Sequence, residues 1–413
     1  MAASDYRPRL VDSLIAEMLF ELPAILLLGP RASGKTTTAM QHAKTVIRLD
    51  NPRQAEVFRF DPDAALRDRK EPVLLDEWQE VPEVLAAVKR AVDSNPRGGR
   101  FILTGSVRAE LNVATWPGTG RVVDIPMTTL TIRERMGEPN ARSFLDRIAD
   151  DNVDLRRRID GFDLIRYVDL ALQGGFPEPM LRLSERGRRS WFRGYVRQLT
   201  HRDASHVTTH RDPQKLRRLL NALAHSTAGS ISDKSLYRSS DLDPKTARAY
   251  ENLLQNLFVV ESVPAWSSNQ LKRLAARPKR YMTDTALAAS LMGVDRQGLM
   301  NDGDLLGRMI DTFVIAQLRA ELPVSETEPA LYHLRNREGR EVDLIIEYRS
   351  GHIVGIEIKA TSVPSRSDGR HLAWLRDYLG ERFLRGLVLH TGPDSINLGE
   401  RIDALPIASI WES

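Results

Sequence analysis

The sequence predicts an α/β protein. Its N-terminal part reads as a parallel sheet with helices on both faces, followed by a helical unit and a second α/β unit. Three observations carry this. In the first third, short apolar runs (Ile25 to Leu28, Val46 to Leu49, Val73 to Leu75, Phe101 to Leu103) alternate with helical segments. That alternation is the pattern of parallel strands joined by crossover helices. A glycine-bearing loop, Gly29 to Thr36, joins the first run to a helix. Far along the chain, Val342 to Ile346 and Ile353 to Lys359 read as two apolar strands around a hairpin turn, with charges set inside them.

Composition narrows the function classes. The 413 residues suffice for two or three domains. A hydrophobic share of 42% and a charged share of 28% are ordinary for a soluble protein. Without cysteine, disulfides, zinc-thiolate sites and Cys nucleophiles are excluded, which fits a reducing, cytoplasmic setting. No apolar run approaches a membrane span, and Met1 to Arg7 lacks a signal-peptide pattern, so no membrane partner is expected. The net charge of +4 is modest, but basic clusters gather mid-chain at Arg156 to Arg158, Arg186 to Arg202, Lys215 to Arg218 and Lys272 to Arg280. Such clusters either bind phosphate backbone or form solvated helix faces.

Residues 6–20 carry Leu10, Leu14, Ile15, Met18 and Leu19 at helical spacing. The loop that follows the first strand, Gly29-Pro30-Arg31-Ala32-Ser33-Gly34-Lys35-Thr36, has the spacing G-x-x-x-x-G-K-T, and Thr37 continues into a helix. Strand, glycine loop and helix are the context of a phosphate-binding P-loop. Its glycines let backbone N–H groups turn toward phosphate oxygens, and the helix dipole favours the same anion. ATP is the expected ligand, with Lys35 on the terminal phosphates and Thr36 on Mg²⁺. A second strand, Val46 to Asp50, ends at Asn51-Pro52.

Val73-Leu74-Leu75-Asp76-Glu77 is an apolar strand ending in two acids, the Walker B pattern. Asp76 would hold the Mg²⁺ water shell. Glu77 would orient and deprotonate the attacking water, which favours hydrolysis over transfer. Phe101 to Ser106 is a further strand ending in hydroxyl residues, with Thr104 the better candidate for a γ-phosphate sensor and Ser106 the alternative. Arg121 follows a Gly-Thr-Gly turn and is a candidate contact to the chain's own or a neighbour's nucleotide, or a plain surface arginine.

Residues 136–160 are polar and charge-rich and read as a linker with a helical portion. Gly174-Gly175-Phe176-Pro177-Glu178 makes a sharp turn, and Trp191 to His201 reads as an aromatic- and Arg-bearing helix that could serve as a lid. A helix begins at Asp243 with Pro244 at its first position, and Val259 to Val263 and the basic stretch up to Thr283 follow. Helix, turn, helix and a two-stranded wing is the winged-helix layout. Thr246, Arg248 and the wing cations would then face DNA, or the unit would serve packing.

In the last third, Glu357 and Lys359 are two residues apart on one strand and share a face, with Asp343 beside them on the neighbouring strand. Two carboxylates can hold Mg²⁺ on a phosphodiester, and the lysine can position water or developing charge. Asp311, on the helix Leu305 to Leu318, is a further acid for that site. The alternative is a salt-bridged hairpin.

Together these stretches resemble a family of bacterial and archaeal AAA-type ATPases whose C-terminal domain has a winged-helix part and ends in a region like PD-(D/E)xK nucleases. The resemblance rests on Tyr6-Arg7-Pro8-Arg9, Leu28 to Thr37, Leu49 to Pro52, Leu75-Asp76-Glu77-Trp78-Gln79, Leu103 to Ser106, Gly120-Arg121, Gly174 to Glu178, Glu341 to Asp343 and Ile356 to Lys359. The family often has Glu where this chain has Asp311. The match implies an ATPase domain over 1–135, a linker and helical lid over 136–205, a winged helix over 206–300 and a nuclease-like domain over 301–413. It implies ATP hydrolysis acting on DNA, with an active or vestigial metal-dependent nuclease site. The alternative is an ATP-dependent regulatory switch with a C-terminal interaction module. AAA-type sites commonly take an arginine from a neighbouring protomer, so a homo-oligomer, ring or dimer, is expected.

Overall fold

The computed structural model describes residues 6–106, 120–203, 212–269, 273, 277–336 and 338–412. Its first unit opens with helix α1 (Asp12–Glu21), strand β1 (Ala24–Leu28) and helix α2 (Lys35–His42), which starts inside the P-loop. Strand β2 (Thr45–Arg48) is followed by α3 (Pro52–Phe60) and α4 (Pro62–Leu66). Asn51 and Asp61 cap these two helices, each with a proline at the first turn, where a missing N–H costs nothing. Then come β3 (Val73–Asp76), α5 (Val84–Ser94), β4 (Phe101–Gly105) and β5 (Val123–Pro126).

The five strands form one sheet in the order β2-β3-β4-β1-β5, all parallel. Burial alternates along β1. Ile25 and Leu27 pack with Ile15, Leu19 and Ala39 from α1 and α2, whereas Ala24 and Leu26 pack with Phe58, Val84 and Val88 from α3 and α5. Both faces are covered, which is why these strands read as unbroken apolar runs. All carboxyl ends point one way, so the P-loop, the end of β3 and the end of β4 meet at one sheet edge. Gly29 is required there: a Cβ would lie 1.9 Å from the Met127 carbonyl oxygen, where the chain after β5 crosses the loop.

The chain continues through α6 (Ile132–Met136), α7 (Phe144–Ala149), α8 (Leu164–Gln173), α9 (Pro177–Arg182) and α10 (Glu185–Gln198). Next are α11 (Pro213–His225), α12 (Asp233–Ser239), α13 (Pro244–Asn256), and the antiparallel ribbon β6 (Val260–Val263) and β7 (Lys279–Met282). Helices α14 (Thr285–Met292), α15 (Arg296–Asn301) and α16 (Gly303–Glu321) lead into β8 (Ala330–Arg335), β9 (Glu341–Glu347) and β10 (Ile353–Lys359). Helix α17 (Arg370–Leu379) and strands β11 (Phe383–His390), β12 (Ile396–Gly399) and β13 (Ile402–Pro406) complete it. The second sheet is mixed, in the order β12-β13-β11-β10-β9-β8. One continuous core joins α8, α11, α13 and α16 to this sheet, and α16 is buried around most of its circumference.

Two expectations change here. Within the stretch read as a linker with a helical portion, 136–160, the helix is Phe144–Ala149, and it is packed rather than solvated. Phe144, Leu145 and Ile148 are fully buried, and Arg147 donates to the Ser409 carbonyl at 2.6 Å. Of the charges in the stretch, Arg147 and Arg157 donate to carbonyls of Ser409, Ile410 and Glu412, whereas Arg142, Arg156 and Arg158 pair with aspartates at the surface. The cations of β7 also do not face outward: Lys279 and Arg280 are both buried and ion-paired, so they cannot meet DNA. Lys272, another of the cations assigned to the wing, lies outside the described residues. Among the described residues, no helix is long and apolar enough to cross a membrane.

Candidate functional site

At the carboxyl edge of the first sheet, the P-loop turns through left-handed backbone at Ala32 and Gly34. Lys35 is buried, and its Nζ donates to the carbonyls of Gly29 and Pro30 at 2.9 and 2.8 Å. Burial pushes its ammonium down to about 8, against the charges of Glu77 and Asp76. The Thr36 and Thr104 hydroxyls donate to the same oxygen of Asp76, each at 2.6 Å. The Thr104 oxygen also accepts the backbone N–H of Glu77 at 3.1 Å. Glu77 sits in left-handed backbone, and its carboxylate takes a hydrogen bond from Gln79 and one from Ser106 at 3.4 Å. Thr104 thus fixes both acids, while Ser106 reaches only the second.

These side chains fit MgATP. Lys35 already donates to oxygens of its own loop, the role a phosphate would take. Thr36 and Asp76 would hold Mg²⁺, which when bound offsets charge on the phosphates. Glu77 is half-buried and lines the cavity over the P-loop.

A cavity of about 390 Å³ opens over Gly34 to Thr38. Its other walls are Tyr6 and Arg7 from the chain's start and Glu178, Leu181 and Arg182 from α9. Arg9 sits beneath, donating to the Ser33 carbonyl at 2.9 Å and the Thr128 carbonyl at 2.8 Å, and pairing with Glu134 at 2.9 Å. Glu134 in turn closes a capping box with Thr131 at the start of α6. The motif spacing indicated no role for Glu134, whose partner Arg9 lies 125 residues away in the chain.

Arg121 is placed elsewhere. It precedes β5, at the amino edge of the sheet, and pairs with Asp93 at 2.9 Å. A contact to the chain's own nucleotide is ruled out by strand direction, since the P-loop lies at the opposite edge.

The C-terminal acids also differ from expectation. Antiparallel pairing of β9 with β10 brings Asp343 beside Glu357, and an Asp343 oxygen accepts the Ile358 N–H at 3.0 Å. Asp311 approaches from α16. Between Asp311 and Asp343 stands Lys279, at 2.8 and 3.6 Å. Lys359 pairs with Glu357 at 2.7 Å and lies 4.0 Å from Asp343. Burial raises the pKa of Glu357 and Asp311; Lys279 and Lys359 hold Asp343 below the usual range despite its burial. Among the described residues, no group of three or more His, Asp or Glu side chains is arranged to hold a metal ion. The expected metal set of Asp311, Asp343 and Glu357 therefore does not fit Mg²⁺ here, because lysines take the positions a cation needs.

Comparison with known proteins agrees with the first unit and leaves the rest open. Residues 21–136 match the model of a family described as an AAA domain. The P-loop, Asp76 and Glu77 all lie within this match to an AAA domain. Residues 165–298 and 306–410 match two domains of unknown function, DUF8612 and DUF4143. Uncharacterized proteins of Mycobacterium bovis and Mycobacterium tuberculosis are each 29% identical over 397 residues, covering 95% of this chain and 82% of theirs. A solved structure of a Walker-type ATPase from Pyrococcus abyssi aligns at 16% identity and a TM-score of 0.44, over 70% of this chain and 97% of that one.

Proposed function

We propose that the chain is an ATP-hydrolysing switch, in which the nucleotide state of the N-terminal domain sets the arrangement of the helical and C-terminal parts. Lys35 and the loop from Gly29 to Thr37 bind the phosphates, Asp76 and Thr36 serve Mg²⁺, and Glu77 is the base. One observation carries the reading: the nucleotide cavity is walled on one side by the P-loop and on the other by α9. Helix α9 also leads into the aromatic cluster of Phe176, Trp191, Phe192 and Tyr195. A bound nucleotide would touch both sides and so distinguish their relative positions. Amide hydrogen exchange over residues 177–198, with Glu77→Gln holding ATP unhydrolysed, tests this. Protection there on ATP binding supports the switch; protection confined to the P-loop contradicts it.

A second reading, action on DNA, is favoured by a groove of about 890 Å³ along α12 and α13, where Lys234, Arg238, Arg248 and Arg277 outnumber Asp233, Asp241 and Asp243. All four are exposed, unlike the β7 cations. Here α12, α13 and the ribbon would act as a winged helix with phosphates along the groove. A DNA-stimulated ATPase rate that falls in Arg248→Ala supports it. An unchanged rate and no DNA affinity at low salt contradict it. The proposal includes a homo-oligomer with an arginine supplied in trans, which ATP-dependent sedimentation tests.

A further inference from the structure

Strand β7 places two successive cations on opposite faces. Side chains along a strand alternate, so residues 279 and 280 must point apart. Arg280 turns toward the helices, where it pairs with Glu251 of α13 at 2.5 Å and Asp233 of α12 at 2.7 Å. Lys279 turns the other way, toward α16 and the second sheet. It reaches Asp311 at 2.8 Å and Asp343 at 3.6 Å, and its ammonium lies 5.6 Å from the Tyr281 ring centroid.

The surroundings of Lys279 are those of a bound cation. Lys279 and Asp311 are 5% and 6% exposed, and Glu357 is 5% exposed. Two carboxylate oxygens, Asp311 Oδ1 and Glu357 Oε1, are buried without a hydrogen-bond partner. Buried carboxylates left unpaired are costly, so positive charge is required for the three acids to share the space: Lys279 supplies it to Asp311 and Asp343, and Lys359 supplies it to Glu357 at 2.7 Å. A divalent metal would supply that charge through oxygen ligands. Here Lys359 of the hairpin supplies part of it, and Lys279 supplies the rest from a different element, which spacing within the hairpin could not reveal.

We propose that the Lys279 ammonium is the resident cation between Asp311 and Asp343, beside the Lys359–Glu357 pair, and that it closes this cluster to divalent metal. The cluster is then an ionic latch: Lys279 fastens the ribbon to the second sheet while Arg280 fastens it to α12 and α13. The charges inside β9 and β10 serve this latch rather than phosphodiester cleavage. The proposal stands apart from the ATP reading, since none of these residues lines the nucleotide cavity.

Mn²⁺ binding to the nucleotide-free full chain, read from the electron paramagnetic resonance of free Mn²⁺, tests it. Wild type and Asp343→Asn should titrate alike, because no metal enters the cluster. Lys279→Met removes the ammonium while keeping much of the volume, and should gain one Mn²⁺ equivalent that the added Asp343→Asn change abolishes. Two results overturn the proposal. One is wild type binding more Mn²⁺ than Asp343→Asn. The other is a Lys279→Met protein with wild-type circular dichroism that binds no more than wild type. If Lys279→Met does not fold, the comparison of wild type with Asp343→Asn decides alone.

Discussion

The Arg9 guanidinium donates to the carbonyl oxygen of Ser33 at 2.9 Å, so the N-terminal segment is built into the floor of the P-loop. The same side chain pairs with buried Glu134, tying the loop to α6. Arg9→Met leaves Glu134 as an uncompensated buried charge, a situation that typically costs about 3–5 kcal/mol. Chemical denaturation of the full chain should show a loss of that order in the transition reporting the N-terminal domain. A loss below about 0.5 kcal/mol, the usual range of surface substitutions, would contradict the buttress.

Thr104 bridges the two acids of the site. Thr104→Val removes a hydrogen bond to an ionised carboxylate, worth about 1.5–3 kcal/mol, and should lower kcat by about 10- to 100-fold with nucleotide affinity retained. Ser106→Ala, which touches only Glu77, should change kcat less. Steady-state phosphate release checks both, and equal effects from the two variants would contradict the assignment.

Lys35 gives a pH signature. Burial holds its folded pKa at about 8 against the ordinary 10.5, so between those values the unfolded chain holds more protons than the folded one. Stability of the nucleotide-free protein should therefore rise with pH across that window, and Lys35→Met should remove that part of the rise. Lys35→Met should also raise stability near pH 7, where the buried charge is present, while abolishing ATP binding. Thermal melts from pH 7 to pH 10.5 test the sign; an identical pH slope in the two proteins would refute it.

Gly175 is a junction glycine. A Cβ there would lie 2.4 Å from the Leu130 carbonyl oxygen, and its N–H donates to Asp284 at 2.7 Å. Gly175→Ala must push against the Thr129–Leu130 segment, and overpacking of this kind costs about 1–3 kcal/mol. A lower melting temperature, with faster proteolysis near residues 174–176, is expected. Wild-type behaviour on both counts would show that the junction is not close-packed.

The parts of the site that were legible in the sequence are those written in adjacent residues. The P-loop, Asp76 and Glu77 follow from one strand-loop-helix pattern and one strand end, and the alternation of apolar runs gives the parallel sheet. The hairpin of Asp343, Glu357 and Lys359 is legible for the same reason, since period-2 spacing fixes which residues share a face. What spacing does not encode is the partner from another element. Lys279 looks like a solvated wing cation because a basic run carries no information on burial, and its acids lie on α16 and β9. Arg9 looks like any N-terminal arginine until Ser33 and Glu134 close on it. Arg121 reads from its neighbouring glycines as a candidate nucleotide contact or a plain surface arginine, and strand direction places it at the far edge of the sheet.

The most direct measurement of the central claim is ATP turnover by the purified full chain with Mg²⁺, wild type against Glu77→Gln. The account predicts measurable phosphate release by wild type. It predicts at least about a 100-fold loss in Glu77→Gln, as expected for removing a general base, with ATP still bound. Turnover in Glu77→Gln equal to wild type, or no turnover in a wild-type protein that binds ATP with or without DNA, would contradict it.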